Sequence, residues 1–325
     1  MKDIRNTNSY SKFTDKTDKS FENIIEVLDS RIGESTEEVN NEELKTSFKG
    51  YTELGEIVIS GSKYTYKVYK YLNESINKGF ETDSNRETRV SSTEALLIVL
   101  TNGTINQFVI SKSNSNSQGK AIIRKLMGYE DKGEIENNQI SLLSDKDFYL
   151  WLFYVVLNDV NENDKLSVQS IEAYSGNTYI DKLTNVSGTG SKVMNLLSTL
   201  TFLFEIKEIN KVKVKIKFEE YNKEENVFEK HIFETEFFDN GTSNNLKIDI
   251  NHYKGGFDEL EETGDFIARV VMKVMFEVLP LLSSIYTNAE WDKVEFNKSI
   301  GKEVINRINS ELIDNENQEI NLKEE

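Results

Sequence analysis

The sequence feature that most constrains the fold is a strict alternation of charged and apolar side chains in the second half of the chain. Lysine occupies every second position from Lys211 to Lys217 and alternates with Val212, Val214, Ile216 and Phe218. Side chains on a β-strand point alternately to its two faces, so this strand has one lysine face and one apolar face. The pattern predicts a sheet that packs on one side and meets water on the other.

The segment that follows repeats the alternation and predicts a partner strand. His231, Phe233, Thr235 and Phe237 share one parity, while Glu234 and Glu236 take the other. We expect these two glutamates to pair with the lysines across the strands, which favours a solvated sheet face over a nucleic-acid contact. The turn signal at 239–241 then leads into Leu246, Ile248 and Ile250, predicting a three-stranded meander.

A second hairpin is predicted in the first half, where Ala95–Leu100 and Ile105–Ile110 flank Asn102-Gly103. Asn-Gly between apolar runs is typical of a two-residue turn in which both positions have positive φ. Further strands are predicted at 56–59, 64–72 and 166–174, with a continuation into a helix as the alternative for 64–72. The Asn-Gly-Thr turns near residues 102 and 240 resemble each other, so a duplicated unit is an open alternative to chance similarity in an Asn-rich chain.

Helices are predicted by apolar periodicity and capping residues. The segment 145–157 opens with Ser144 and Asp147 at capping-box spacing and is apolar on every side from Phe148 to Val155, so it must be buried on every side; a buried strand is the alternative. The other predicted helices span 21–32, 118–127, 192–205, 264–286 with a bend near Pro280, and 290–312.

These elements predict an α+β protein in which antiparallel hairpins and meanders pack on a buried helical core, with two similar α+β halves as an open possibility. We expect a disordered tail at 1–20, a short helix and an acidic linker at 21–50, an N-terminal half at 51–160, a C-terminal half at 161–312 and an acidic disordered tail at 313–325. The tails are too polar to offset the entropy of ordering them.

The amino-acid composition limits the kinds of catalytic and metal site that the chain can form. The chain has no cysteine and only two histidines, His231 and His252. Thiolate nucleophiles and Cys-ligated or multi-His zinc sites are therefore excluded, and a cytoplasmic location is favoured. His231 is expected to line the core. The acids at Asp249 and in 258–262 would need partners from elsewhere to hold metal, so no metal site and no cofactor is predicted.

One segment stands out in a chain of net charge −17, because no Asp or Glu occurs from Ala95 to Tyr129. Small polar residues there precede a helix start, where free backbone N–H groups and the helix dipole favour an anion. The predicted anion-binding residues in this segment are Lys112, Ser117, Gly119, Lys120, Arg124 and Lys125.

A second loop of the same type lies in the acid-free stretch from Lys182 to Phe204 and is expected to open the next helix. Its candidate residues are Ser187, Gly188, Thr189, Gly190, Ser191 and Lys192. Neither loop has the spacing of a phosphate-binding P-loop. If the two loops meet, a phosphorylated ligand or a nucleic-acid backbone would fit between them.

The sequence thus favours a non-enzymatic intracellular binding protein that recognises a phosphorylated small molecule or nucleic acid at the acid-free face. The first alternative is an interaction protein, of the inhibitor or DNA-mimic type, whose acidic surface docks a basic protein partner. The second is an enzyme that uses carboxylates and a metal. The longest apolar run, Phe148–Leu157, is half of what a bilayer requires, so no membrane partner is expected.

Overall fold

The computed structural model describes residues 8–112, 117–138, 141–160, 163–178, 185–190, 197–222, 227–239, 244–260 and 262–321. Contacts divide the chain into two compact units, each built from two separate segments. Unit 1 comprises Met1–Ile140 and Gly241–Pro280, and unit 2 comprises Ser141–Asn240 and Leu281–Glu325. The sequence predicted a single boundary between two halves near residue 160. Instead, the late segment Gly241–Pro280 belongs to unit 1, because its strand pairs with the first strand of the chain.

Unit 1 contains an antiparallel sheet with the strand order β13-β1-β7-β6-β5-β3-β2, while β4 pairs with β5 and β8 pairs with β1. The strands are β1 (Asn8–Asp15), β2 (Gly33–Val39), β3 (Glu42–Gly50), β4 (Gly55–Ile59), β5 (Ser62–Ile76), β6 (Val90–Thr101), β7 (Asn106–Ile110), β8 (Ile135–Asn137) and β13 (Asn244–Lys254).

The helices of unit 1 begin and end where the sequence supplies caps. In α1 (Phe21–Ser30), the Ser20 side chain accepts a hydrogen bond from the Asn23 N–H, and α3 (Gln118–Met127) ends at Gly128, whose φ is 68°. The apolar faces of α1 and α3 belong to one buried cluster with Phe13. The remaining helical segments are α2 (Arg86–Arg89), a 3-10 turn at Lys132–Glu134, α6 (Thr263–Lys273) and a π-helical turn at Val274–Val278.

Unit 2 contains four antiparallel strands in the order β10-β9-β11-β12 among its described residues. They are β9 (Leu166–Thr178), β10 (Asn185–Thr189), β11 (Ile206–Asn222) and β12 (Val227–Asp239). Its helical segments are a 3-10 turn at Ser141–Ser144, α4 (Lys146–Leu157), α5 (Leu197–Glu205), α7 (Leu279–Asn288), which begins at the end of unit 1, and α8 (Lys293–Asn321). Every side chain of α4 from Phe148 to Phe153 is buried, as its all-round apolar composition predicted.

The predicted tails and linker were wrong in three places. Residues 8–15, assigned to a disordered tail, form β1 and bury Tyr10 and Phe13. The expected acidic linker forms β2 and β3, whose backbones pair with each other over the length of β2. At the other end, α8 continues to Asn321. In each case the backbone N–H and C=O groups form hydrogen bonds within a sheet or a helix, whereas the polar composition had suggested that they would be hydrogen-bonded to water.

Several finer predictions also changed. Thr101 pairs with Asn106, so the loop of the β6–β7 hairpin has four residues rather than two, and of Asn102 and Gly103 only Gly103 has positive φ, at 84°. The cap of α4 is Asp145, which accepts from the Asp147 N–H, instead of Ser144. The irregularity in the 264–286 helix is the π-helical turn, which precedes Pro280. The turn at residues 240–243, used for both the meander and the duplication, lies outside the described residues.

Candidate functional site

The basic side chains of α3 mostly bind the protein's own backbone. Lys120 Nζ donates to the carbonyl oxygen of Lys132 at 3.0 Å, and Arg124 donates to the carbonyl oxygen of Glu130 at 2.6 Å. Both bonds hold the segment that follows the helix. Lys125 is exposed on the same helix. Two of the positive charges that the sequence revealed, those of Lys120 and Arg124, therefore stabilise the local fold.

The start of α3 keeps some features of the predicted anion site. Ser117 is the N-cap residue but makes no side-chain capping hydrogen bond, and the first turn contains no acid. Gly119 is buried beside Lys112: a Cβ on Gly119 would lie 3.5 Å from the Lys112 Cβ and 2.9 Å from Ile110 Cγ2. Burial lowers the pKa of the Lys112 ammonium. Anion binding here stays a prediction.

The second predicted loop is a strand in its described part. Ser187, Gly188 and Thr189 belong to β10 and pair with Ser175, Tyr174 and Ala173 of β9. The Gly190 N–H donates to the Glu172 carbonyl oxygen at 2.9 Å. The expectation of a loop that opens a helix was therefore wrong at these positions, because their backbone groups are used in the sheet. Ser191 and Lys192 lie outside the described residues.

The lysine face of β11 was predicted correctly as a paired sheet face, but it is less solvated than expected, because Glu234 is buried and the lysines are only partly exposed. Lys213 and Lys215 lie opposite Glu236 and Glu234 in the strand register. Lys213 Nζ lies 2.7 Å from Glu234 Oε2 on the diagonal, and Lys215 Nζ lies 3.5 Å from Glu172 Oε1 on β9. Cross-strand pairs of this kind stabilise the sheet and leave less charge for an outside ligand.

Unit 1 has a cleft of about 610 Å³ beside α1, which the sequence did not predict. Its walls come from the first turns of α1, from Leu54 before β4, and from the ends of the β4–β5 and β6–β7 hairpins. The volume falls within the range of roughly 300–1,000 Å³ that is usual for ligand-binding clefts. We call it the α1 cleft.

An ion-paired anchor holds α1 against the sheet beside this cleft. Lys67 Nζ lies 2.8 Å from both carboxylate oxygens of Asp29, and the Tyr69 hydroxyl donates to Asp29 Oδ1 at 2.9 Å. Both partners lie on β5. Lys67 is largely buried, so this pair is less screened than a surface pair. The anchor fixes the helix that supplies one wall of the α1 cleft.

The α1 cleft combines apolar surface with two carboxylates. Phe21 and Ile25 contribute the apolar surface of α1, and Leu54, which is 58% exposed, faces it as an unusually open aliphatic side chain. Glu22 and Glu26 lie one helical turn apart and are both exposed. Backbone and Ser20 hydrogen bonds at the helix start lower the pKa of Glu22. Lys63, which also lines the cleft, lies 2.7 Å from Glu56, so its charge is locally compensated.

A second group of chemically active side chains lies in unit 2, at the loop end of the β11–β12 hairpin. Glu220 and Glu229 are direct cross-strand partners, and His231 follows them one step inward, opposite Phe218. The imidazole is completely buried, whereas the carboxylates are 27% and 22% exposed. We call this group the Glu-Glu-His cluster.

The sequence carries a local signal for this cluster, although the cluster was not predicted. Glu220 and Glu229 have the same parity as the apolar positions of their strands, so they continue the inward-facing ladder of Val212–Phe237, Val214–Thr235 and Ile216–Phe233. Two acids that extend a buried face are unusual, because charged groups seldom enter such positions without partners.

Comparison of the chain with protein-family models and with curated proteins finds no match. None of the helices in the described part of the chain is both long enough and apolar enough to span a membrane.

Proposed function

We propose that the protein is a binding protein whose α1 cleft receives a basic, partly apolar segment of a protein partner. The observation that carries this proposal is the pairing of Glu22 and Glu26 on the wall of a cleft whose other lining includes Phe21, Ile25 and Leu54. The proposal takes up the sequence-based alternative of an acidic interaction protein and assigns it a site.

The spacing of the two glutamates supports a binding role. Like charges at positions i and i+4 of a helix destabilise it by a few tenths of a kcal/mol. Glu22 has a structural explanation, because an acid in the first helical turn interacts favourably with the helix dipole. Glu26 lies beyond that turn. A cationic side chain from outside would relieve the repulsion.

Apolar contact would supply most of the affinity. Burial of apolar surface contributes about 25 cal/mol per Å² removed from water, and Leu54 and Ile25 have surface to lose. The carboxylates would instead select for a basic partner, and the net charge of −17 would attract it over a longer range. This division of roles predicts that affinity falls with ionic strength without vanishing.

The anion hypothesis ranks behind this proposal because its two best cations, Lys120 and Arg124, already donate to backbone carbonyl oxygens. An anionic ligand at α3 would have to compete with these internal hydrogen bonds or bind beside them.

The test uses the blocked hexapeptide acetyl-(Lys-Leu)₃-amide as a probe, with acetyl-(Glu-Leu)₃-amide as its charge-reversed control. Titration into the isotope-labelled chain should shift the amide signals of Gly103 and of the first turns of α1, because these residues line the cleft. The Glu22→Gln, Glu26→Gln double variant should weaken binding about fivefold, as expected for the loss of two exposed charge pairs.

The matched control is the Glu37→Gln, Glu38→Gln double variant, which removes equal charge from the fully exposed part of β2. It should retain the affinity of the unmodified chain. Equal weakening by both double variants would mean diffuse attraction to an acidic protein and would overturn the site. Equal binding of the two peptides would overturn the proposed chemistry.

A further inference from the structure

We infer that the Glu-Glu-His cluster of unit 2 is a binding site for a first-row divalent metal ion, with Zn²⁺ as the preferred occupant. The inference is independent of the α1 cleft. It rests on the juxtaposition of one imidazole nitrogen and two carboxylates, Glu220 and Glu229, whose ligand atoms all lie within 4.8 Å of one another.

The distances fit shared coordination better than direct hydrogen bonding. His231 Nε2 lies 3.4 Å from Glu220 Oε1 and 3.6 Å from Glu229 Oε2. A charge-assisted N–H···O bond is normally about 2.7–2.9 Å long. Two ligand atoms at about 2.0–2.2 Å from a tetrahedral Zn²⁺ are instead separated by roughly 3.3–3.6 Å. The two imidazole–carboxylate separations therefore match the edges of a tetrahedron around one ion.

The imidazole is held in place by aromatic rings. His231 stacks on Phe233 with a centroid separation of 5.9 Å and an interplanar angle of 14°. The ring of Phe218 lies on its cross-strand side at 6.2 Å. A metal ligand fixed in this way loses little conformational entropy when the ion binds. The dry surroundings also strengthen the attraction between a cation and the two carboxylates.

Strand geometry places two negative charges where a cation would stabilise them. Glu220 and Glu229 are directly opposite in the antiparallel register, an arrangement that is destabilising for like charges. A divalent ion bound between them would attract both carboxylates. The attraction between the ion and the carboxylates is stronger here than in water, because His231 lies among aromatic rings and the two glutamates end an apolar ladder.

The donor set selects the class of metal. Imidazole nitrogen suits Zn²⁺ and its first-row neighbours, whereas Mg²⁺ and Ca²⁺ prefer sites made of oxygen alone. Three protein ligands leave a fourth tetrahedral position for water or a ligand atom. The partial exposure of both carboxylates opens the site to solvent on that side, so an ion could enter without unfolding of the hairpin.

The experiment begins with the full chain stripped by a chelator and dialysed. Calorimetric titration with Zn²⁺ should show a site that Mg²⁺ does not occupy, and Co²⁺ should produce the visible absorption of a tetrahedral complex. His231→Gln, Glu220→Gln and Glu229→Gln should each weaken Zn²⁺ binding by about tenfold or more, since even outer-shell changes at metal sites cost 10–100-fold.

Two controls match the ligand variants in residue type and position. Glu219→Gln removes a neighbouring acid on the opposite face of β11, where it pairs with Lys217 at 2.8 Å. His252→Gln removes the other histidine of the chain, which is exposed. Both controls should bind Zn²⁺ and Co²⁺ as the unmodified chain does. Because Glu220 is partly exposed, its variant should fold even if substitution of the buried histidine does not.

The inference is overturned if the stripped chain binds no Zn²⁺. It is also overturned if Glu220→Gln binds Zn²⁺ normally, or if Glu219→Gln or His252→Gln lowers the affinity as much as the ligand variants do. Loss of Zn²⁺ binding in the three ligand variants alone, with the Co²⁺ spectrum, supports it.

Discussion

The basic segment of α3 and the Glu-Glu-His cluster show opposite relations between sequence and chemistry. In α3 the charges are conspicuous in the sequence, and Lys120 and Arg124 use them on backbone carbonyl oxygens of unit 1. In the cluster, Glu220 and Glu229 are two acids among 56, and the strand register places them beside a buried imidazole. A local charge excess is therefore a weaker indication of function than the contacts that each charged side chain makes.

The same lesson applies to the lysines of β11. Their alternation is the most regular charge pattern of the chain, and the structure pairs Lys213 and Lys215 with glutamates of neighbouring strands. The glutamates of the α1 cleft are fewer but lie beside open apolar surface. Charge next to exposed apolar surface is a better indication of a binding site than charge alone.

If the basic helix α3 is a structural element, it should depend on β1, on which it packs. Deletion of residues 1–18 removes β1 and has the largest expected effect. The deletion removes buried Tyr10 and Phe13 and the backbone partners of β7, β8 and β13. Loss of one such aromatic side chain costs about 3–5 kcal/mol, against a typical total stability of about 5–15 kcal/mol. We expect no cooperative thermal unfolding of unit 1, measured by circular dichroism.

The single variants Phe13→Ala and Lys16→Gln refine this prediction. Phe13→Ala should lower the free energy of unfolding by about 3–5 kcal/mol, whereas Lys16→Gln removes only an exposed ion pair with Glu136 and should stay within about 0.5 kcal/mol. An unchanged melting temperature after the deletion would favour the expectation of a disordered tail at residues 1–20.

A smaller effect distinguishes structural from ligand-binding cations on α3. Arg124→Gln should lower the free energy of unfolding by about 1 kcal/mol, because a charged donor to the Glu130 carbonyl oxygen is lost. Lys125→Gln, at an exposed position of the same helix, should change it by less than about 0.5 kcal/mol. Chemical denaturation measures both. If Arg124→Gln left stability intact and reduced phosphate binding, α3 would be a ligand site and the comparison would fail.

The smallest effect concerns the Glu-Glu-His cluster and appears when metal is added. At a free Zn²⁺ concentration of about four times the Kd of the unmodified chain, binding should raise the free energy of unfolding of that chain by about 1 kcal/mol. Glu220→Gln, with an affinity about tenfold lower, should gain only about 0.2 kcal/mol, whereas Glu219→Gln, which lies on the opposite face of β11, should gain as much as the unmodified chain. Denaturation with and without Zn²⁺ provides the measurement. An equal gain in Glu220→Gln would contradict the assignment of this carboxylate as a ligand.

Predictions from the sequence were best where one local pattern decided the outcome. The helix at Gln118–Met127 was predicted with its observed bounds, because its apolar face and the glycine after Met127 are both local signals. The pairing of β11 with β12 followed from the alternation of Lys213 and Glu234 with apolar neighbours. Prediction failed for β1, β2 and β3, whose polar sequences resemble a tail and a linker.

The candidate sites were predicted less well than the fold. Ser187–Thr189 appeared to be a helix-opening loop because serine, glycine and threonine favour turns, but pairing with β9 makes the segment a strand. The α1 cleft depends on α1, on Leu54 and on two hairpin ends that are distant in the chain. No spacing within one segment could have predicted that arrangement.

The sequence by itself determined that this is a mixed α+β protein with antiparallel strands, because periods of 2 and 3.6 residues are local properties of a chain. It also determined the absence of thiol chemistry, since there is no cysteine. The tertiary structure alone decided which polar strands are ordered, and it alone brought Glu220 and Glu229 to His231 and Leu54 to Glu22 and Glu26. The physical reason is that pairing energies between distant segments depend on register and burial, which a linear pattern does not contain.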